Sequence, residues 1–281
     1  MTPEGAKSGV KCARRLDNGT VLGTMSEHYG KVDNAELVDK AENAFDQAGL
    51  KYTKRQCVVT NGVMKNSLGA RMRMIYDFEN ENVQLRREDR QKGDVLGMRL
   101  ILQNSFDRSL RLSFALGLVR LVCTNGMQTL EKELDLTRKH STKIDVDSLL
   151  TTDVVSRAIE SFKASTDVFG LLSRTSIKHD QGLNILGNLA KKNVFSEKHR
   201  AGIAQIWNSP THEEDNARNL YNLYNATTQF LTTDVADSRF ELSDKVGTGV
   251  LKNLSLASNN PARLTKLIAA LPVEGVQVEN N

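Results

Sequence analysis

The sequence predicts an α+β fold: an antiparallel β-rich N-terminal half, with hairpins and a central sheet, packed with a helical C-terminal half. Three observations carry this. Residues 51–59, 70–78 and 96–123 alternate apolar and polar side chains with the period of two that a half-buried strand requires. Asn-Gly pairs at 18–19 and 61–62 punctuate these segments, and Asn-Gly suits tight hairpins because both central turn positions need positive φ. From about residue 145 the apolar spacing changes to the three-and-four rhythm of amphipathic helices.

Taken in order, residues 1–10 form a loose tail. Residues 12–22 form a small hairpin with Arg14 and Arg15 on its first strand. A helix follows over 34–48, capped by Asp33 or Asn34, with Leu37, Val38, Ala41, Ala44, Phe45 and Ala48 on its stripe and Gly49 after its last turn. The second hairpin pairs 51–59 with 70–78. It puts Met72, Met74 and Tyr76 on one face and Arg71, Arg73 and Ile75 on the other. The charged stretch 79–94 reads as an exposed loop or a short solvated helix. Residues 96–127 are the most patterned part of the chain and read as three strands, 96–103, 110–118 and 119–123, with a helical segment starting at 127. Helices are expected over 145–169, 181–192, 197–207, 211–231, 244–258 and 261–271, the fourth opened by a capping box from Thr211 to Glu214. The implied domains are a β-rich basic region, 11–143, and a helical region, 144–272, with a second tail over 273–281.

At 281 residues the chain can bury a sizeable core. No apolar run approaches the roughly 18 residues of a membrane span, and the N-terminus lacks the apolar segment of a secretory signal. Cys12, Cys57 and Cys123 are odd in number and far apart. That pattern fits reduced thiols in a cytoplasm better than a disulfide framework or a cysteine-rich zinc site.

Charge is unevenly distributed. Residues 51–143 hold 18 Lys and Arg against 10 Asp and Glu, a net of +8, while residues 1–50 and 144–281 are each at −2. A basic middle third suggests a face directed at a polyanion. The candidate nucleic-acid ligands are Arg71, Arg73, Arg99, Arg108 and Arg111 on strands and turns, and Arg86, Arg87 and Arg90 in the charged stretch. Guanidinium groups aligned on a sheet make fork-like contacts to phosphate oxygens. Tyr52, Tyr76 and Phe106 are the aromatics suited to base stacking. The competing reading pairs these arginines, and Arg120, with Asp77, Asp107 or Glu131 as structural salt bridges.

Catalytic signals are sparse. There is no Walker sequence, dinucleotide fingerprint or nucleophile elbow. The five histidines show no metal-binding spacing. Cys123 reads as a small core residue; a nucleophile paired with His140 is the sharper alternative. Acidic pairs such as Glu79 and Glu81, or Asp145 and Asp147, sit in solvated or helix-capping contexts. No catalytic residue, metal or cofactor is therefore assigned.

The run from Asn104 to Met127, NSFDRSLRLSFALGLVRLVCTNGM, resembles the signature of the phage/plasmid-like protein family that shares domain of unknown function 932. That family shows an Asn-Ser-His-Asp-Gly turn, an alternating strand, then Arg-Val-Val-Cys-Ser-Asn. Here Asn104, Ser105, Phe106, Asp107 and Arg108 stand in the turn, with Phe106 in place of His and Arg108 in place of Gly. Arg120 to Asn125 stand in the second element. Gly19 to Tyr29, Asn34-Ala35-Glu36, Arg138 to Ser141 and Tyr221 to Phe230 are similar to further family segments. The resemblance implies a phage, plasmid or prophage origin and supplies no catalytic residues.

Composition and resemblance together lead to the expectation of a phage-encoded nucleic-acid-binding protein. Single-stranded DNA binding or annealing in replication or recombination is the main reading, by a homo-oligomer in the host cytoplasm without cofactor or membrane attachment. A host-directed protein-interaction module and a metal-dependent nuclease are the alternatives.

Overall fold

The computed structural model describes residues 9–85, 94–120, 126–128, 138–148, 150–235 and 240–270. The chain divides into two compact units, one of Met1–Gln84, Val95–Thr124 and Glu131–Ser165, the other of Leu85–Asp94, Asn125–Leu130 and Thr166–Asn281. The β-rich N-terminal half and helical C-terminal half are present as expected.

A two-stranded ribbon opens the fold, β1 (Val10–Arg14) antiparallel to β2 (Val21–Ser26). Its connection is closed by Gly19 at φ 72°, and Asn18 Oδ1 accepts from the Thr20 N–H. Arg15 lies in the connection rather than on β1. Helix α1 (Asn34–Gln47) starts at Asp33, whose carboxylate accepts from the Ala35 N–H. It buries Leu37, Ala41, Ala44 and Phe45 of the expected stripe, and leaves Val38 and Ala48 half-buried.

The main sheet contains β3 (Tyr52–Thr60), β4 (Arg71–Leu85), β5 (Asp94–Ser105), β6 (Ser113–Arg120) and β7 (Gly126–Gln128), in that order. β3 and β4 pair from Tyr52↔Phe78 to Thr60↔Arg71, and β5 and β6 from Leu96↔Arg120 to Gln103↔Ser113. Phe45 of α1 meets Tyr52, Tyr76 and Phe78 edge-on at centroid distances of 5.4, 5.1 and 5.1 Å, and lies 6.2 Å from Phe114. Edge-to-face aromatic pairs contribute about 0.5–1.5 kcal/mol each beyond the area they bury. This aromatic layer fixes which sheet face receives the helix.

Three expectations change. The charged stretch after Phe78 is not a loop from its start: β4 continues to Leu85, which is buried. The break expected between Leu118 and Val119 is absent: β6 runs unbroken from Ser113 to Arg120, and residues 121–123 lie outside the described residues. Gly117 sits within that strand opposite Arg99. The segment expected to be helical from Met127 begins in β7, and residues 129–137 lie outside the described residues.

Helix α2 (Thr152–Arg174) belongs to the first unit up to Ser165 and to the second from Thr166. It starts later than expected because Asp145 holds the Asp147 and Ser148 N–H groups in a turn. The second unit also holds α3 (His179–Lys191), α4 (Glu197–Asn208), α5 (Leu220–Thr233), α6 (Phe240–Ser258) and α7 (Pro261–Ile268). The capping box expected at Thr211 does not form: a single 3₁₀ turn, Glu213–Asp215, follows His212 without a side-chain cap, and the Thr211 hydroxyl accepts from the Gln229 amide instead. α5 is capped by Asn219, which accepts from the Asn222 N–H at 2.8 Å.

Every residue of α5 from Leu220 to Thr228 is buried, so this helix is the centre of its unit rather than an amphipathic surface helix. Its polar side chains bond locally. Asn222 donates to the Ala217 carbonyl, Thr227 to Leu223 and Thr228 to Asn225. Trp207 packs so closely on α3 that a Cβ at Gly182 would lie 2.5 Å from its ring. No helix of the described residues is long and apolar enough to cross a membrane.

Because Phe45 is fully buried at the centre of the aromatic layer, Phe45→Ala should lower unfolding free energy by about 3–5 kcal/mol. Urea denaturation followed by circular dichroism measures this. A loss under about 1 kcal/mol would mean that α1 does not anchor the sheet.

Candidate nucleic-acid interface

The turn after β5, from Phe106 to Leu110, is tied down residue by residue together with the strand end that leads into it. Asn104 is fully buried, and its amide donates to the Val32 carbonyl at 3.0 Å and to Asn34 Oδ1 at 2.7 Å. The Ser105 hydroxyl donates to the Leu110 carbonyl at 2.9 Å and accepts from the Leu110 N–H at 3.1 Å. The Ser105 carbonyl accepts from the Tyr29 hydroxyl at 2.7 Å, and burial pushes that hydroxyl's pKa up to about 12. Phe106 donates its N–H to the Ala70 carbonyl at 2.8 Å and clusters with Leu22 and Ala70.

Asp107 is the pivot. It is 7% exposed. Oδ2 accepts from the Val63 N–H at 2.6 Å, and Oδ1 accepts from the Ser109 N–H at 3.0 Å and from the Ser109 hydroxyl. That hydroxyl in turn accepts from Arg71 Nε at 2.7 Å. Burial pushes the Asp107 pKa up, but the hydrogen bonds from Ser109 and Val63 and the nearby Arg71 charge outweigh it and hold the carboxyl below its ordinary value. The space around it admits nothing larger than glycine: a Cβ at Gly62 would fall 1.8 Å from Oδ2, and one at Gly23 would fall 2.6 Å from the Asp107 Cβ.

The segment with Arg138, Lys139 and His140 meets the same turn. Leu112 and Arg138 form an antiparallel bridge, with the Arg138 N–H donating to the Leu112 carbonyl at 2.8 Å. His140 stacks on Tyr29 at 4.7 Å, and its Nδ1 lies 3.1 Å from the Gly30 carbonyl. A carbonyl can only accept, so Nδ1 carries the proton. Burial lowers the pKa of this imidazole. Gly30 is held against Ser141, where a Cβ would lie 2.0 Å from the Ser141 carbonyl oxygen.

With the inner side of the turn consumed by these bonds, its outer side presents Arg108 and Arg111, both exposed, beside exposed Arg138 and Lys139. Arg108 adopts φ 67°, in the left-handed region. The loop held by Asp107 adds exposed Lys65 with Val63, Met64 and Leu68, which are 76%, 40% and 49% exposed. The β1–β2 connection touches the same loop through Arg15 Nη1 and the Leu68 carbonyl at 3.4 Å, and its Leu16 is fully exposed. The result is a surface of cations and small apolar groups with one buried carboxylate beneath it.

The arginine stripe expected across one sheet face does not form. Arg99 is buried and makes a bidentate pair with Asp77 at 2.6 and 2.8 Å. Arg73 is buried, and Arg71 is half-buried and engaged with Ser109. Arg120 is fully buried and pairs with Leu96, on the opposite face from Arg99. Arg108 and Arg111 are exposed as expected, and Arg86, Arg87 and Arg90 lie outside the described residues. The expected stacking aromatics are core residues: Phe106 and Tyr76 are buried, and half-buried Tyr52 packs against Phe45 and Tyr76. Arg138, Lys139 and Lys65 were not among the expected ligands. The match of 138–141 to a family segment was the one signal that pointed to the first two.

No group of three or more His, Cys, Asp or Glu side chains is placed to hold a metal among the described residues. A family model described as "Domain of unknown function (DUF932)" matches residues 21–245. No curated protein and no solved structure matches the chain.

Replacing Asp107 by Asn removes the charge that draws these donors together. Asp107→Asn should cost about 1–3 kcal/mol at neutral pH. The folded pKa lies below the unfolded value near 3.9, so the carboxylate's contribution is full above that value and is lost as pH falls through the folded one. The stability gap between parent and variant should therefore close below about pH 4. Urea midpoints measured from pH 3 to pH 7 check this, and a gap that widens with acid would refute it.

Proposed function

The chain belongs to the DUF932 family, and from that premise and the cationic surface of its turn we propose that it is a nucleic-acid-binding protein of phage or plasmid origin. It takes single-stranded DNA during replication or recombination. The observation that carries this reading is the outward placement of Arg108 and Arg111 beside Arg138 and Lys139. The guanidinium groups of Arg108 and Arg111 have no hydrogen-bond or ion-pair partner among the described residues, and such groups take phosphate oxygens in fork-like pairs. Val63, Met64 and Leu68 lie on the loop that Asp107 holds to this turn. Unstacked bases expose apolar faces that such side chains can cover, whereas a duplex hides them. Without an exposed aromatic in this group, binding depends on phosphates more than on stacking and is tolerant of sequence.

A protein partner in the host is the second reading. The observation favouring it is the same set of exposed apolar residues, joined by Leu16 across the Arg15–Leu68 contact.

Mobility shifts with single- and double-stranded oligonucleotides at several salt concentrations separate these readings. Single strands should bind more tightly, with affinity falling as salt rises. Arg108→Ala with Arg111→Ala should reduce the log–log salt slope by about 1.4, roughly 0.7 per lost phosphate contact on a single strand. No binding at low salt, or binding indifferent to salt, sinks the nucleic-acid reading.

A further inference from the structure

A second cationic feature lies wholly inside the helical unit. α6, α7 and the residue after α3 line a half-open pocket of about 290 Å³, at the lower end of the range for small-molecule sites. Its floor is apolar: Ala257 and Leu267 are buried and Leu256 is 43% exposed. Its rim carries Lys192, Arg263 and Lys266, all exposed, and no carboxylate lines it. None of the three cations has an ion-pair partner among the described residues.

The cations stand on a fixed frame. α7 begins with Asn260 accepting from the Arg263 N–H and with Pro261 in its first turn. Its far end is held by α3: Asn188 donates to the Leu267 and Ala269 carbonyls, both at 2.9 Å, and Asn184 donates to Ile268 at 3.1 Å. Arg263 and Lys266 are therefore carried on a helix that is capped at its start and held to α3 at its far end, so little backbone ordering is left for a ligand to bring about. Three like charges around one cavity repel each other unless an anion sits among them.

We infer that this cavity binds a nucleoside phosphate, with the phosphate among Lys192, Arg263 and Lys266 and the base against Leu256, Ala257 and Leu267. A carboxylate ligand brings one charge, too little for three cations; a phosphate ester brings up to two and three acceptor oxygens. A bare phosphate leaves the apolar floor uncovered. The site shares no residue with the DNA surface proposed above and stands independently of it.

Isothermal titration of the full-length protein with adenosine 5′-monophosphate, adenosine and inorganic phosphate, in separate runs, tests this. The nucleotide should bind at least about tenfold more tightly than either fragment, the equivalent of one charge-assisted hydrogen bond or more. Arg263→Gln with Lys266→Gln should weaken nucleotide binding about tenfold or more, and Leu256→Asn should weaken it while leaving phosphate affinity unchanged. All three side chains are exposed, so circular dichroism should show the parent fold. Failure of the nucleotide to bind, equal affinity for inorganic phosphate, or undiminished binding in the Arg263 and Lys266 variant would each overturn the assignment.

Discussion

A buried carboxylate has to be satisfied, and Asp107 shows how far that constraint reaches. Removed from water, it takes two backbone N–H groups and a hydroxyl, and these come from its own turn and from the loop at Val63. The packing is close enough to require glycine at 62, where a side chain would strike the carboxylate, and at 23, where one would strike Cα and Cβ of Asp107. Arg71 joins through Ser109 and supplies the compensating charge one bond away. The loop, the turn and the end of β4 thus have one allowed arrangement. The exposed groups, Arg108, Lys65 and Val63 among them, are placed by this buried bonding rather than by contacts of their own.

The arginines of the basic third divide by burial, not by sequence spacing. Arg99 and Asp77 form a two-point pair in which each satisfies the other; deleting either would leave an uncompensated charge. Arg120 lies among the leucines of β5 and β6. Strand alternation correctly puts Arg71 and Arg73 together on one face. It does not say whether that face meets water, and here β5 is buried along nearly its whole length. Among the described residues, the exposed arginines that suggested a polyanion partner therefore sit not in a sheet-wide stripe but at the turn after β5, as Arg108 and Arg111.

Local chemistry explains which parts of the fold were legible. The first hairpin, α1 and α7 each announce themselves through adjacent residues: Asn-Gly, an Asp cap with a regular stripe, and Asn-Pro at a helix start. The capping box at Thr211 looked equally persuasive. It lost to Asn219, whose backbone bridges to Ser176 and whose side chain caps α5. That competition is tertiary and leaves no local trace. The candidate surface was less legible for the same reason. Tyr29 reaches Ser105, Asn104 reaches Asn34, and His140 reaches Gly30 across 76, 70 and 110 positions. No periodicity encodes such meetings. The family resemblance grouped these segments, and the fold shows that they are grouped because they touch.

Arg108 brings the two kinds of information together. Its φ of 67° suits glycine, and the family pattern has glycine there. A residue with a Cβ pays about 1–2 kcal/mol in this region. Its backbone bonds to the Tyr29 hydroxyl, while its guanidinium is exposed and has no hydrogen-bond or ion-pair partner among the described residues. Neighbouring turn residues are each explained by a bond: Asn104 by Val32 and Asn34, Ser105 by Leu110, Asp107 by Val63, Ser109 by Arg71. The Arg108 side chain is the exception, on a strained backbone and pointing outward from a rigid base. Backbone strain of this kind clusters at active sites and ligand clamps. In the nucleic-acid reading proposed above, a phosphate would be the partner of this cation, and the turn's fixed frame would let it bind without first having to order the protein.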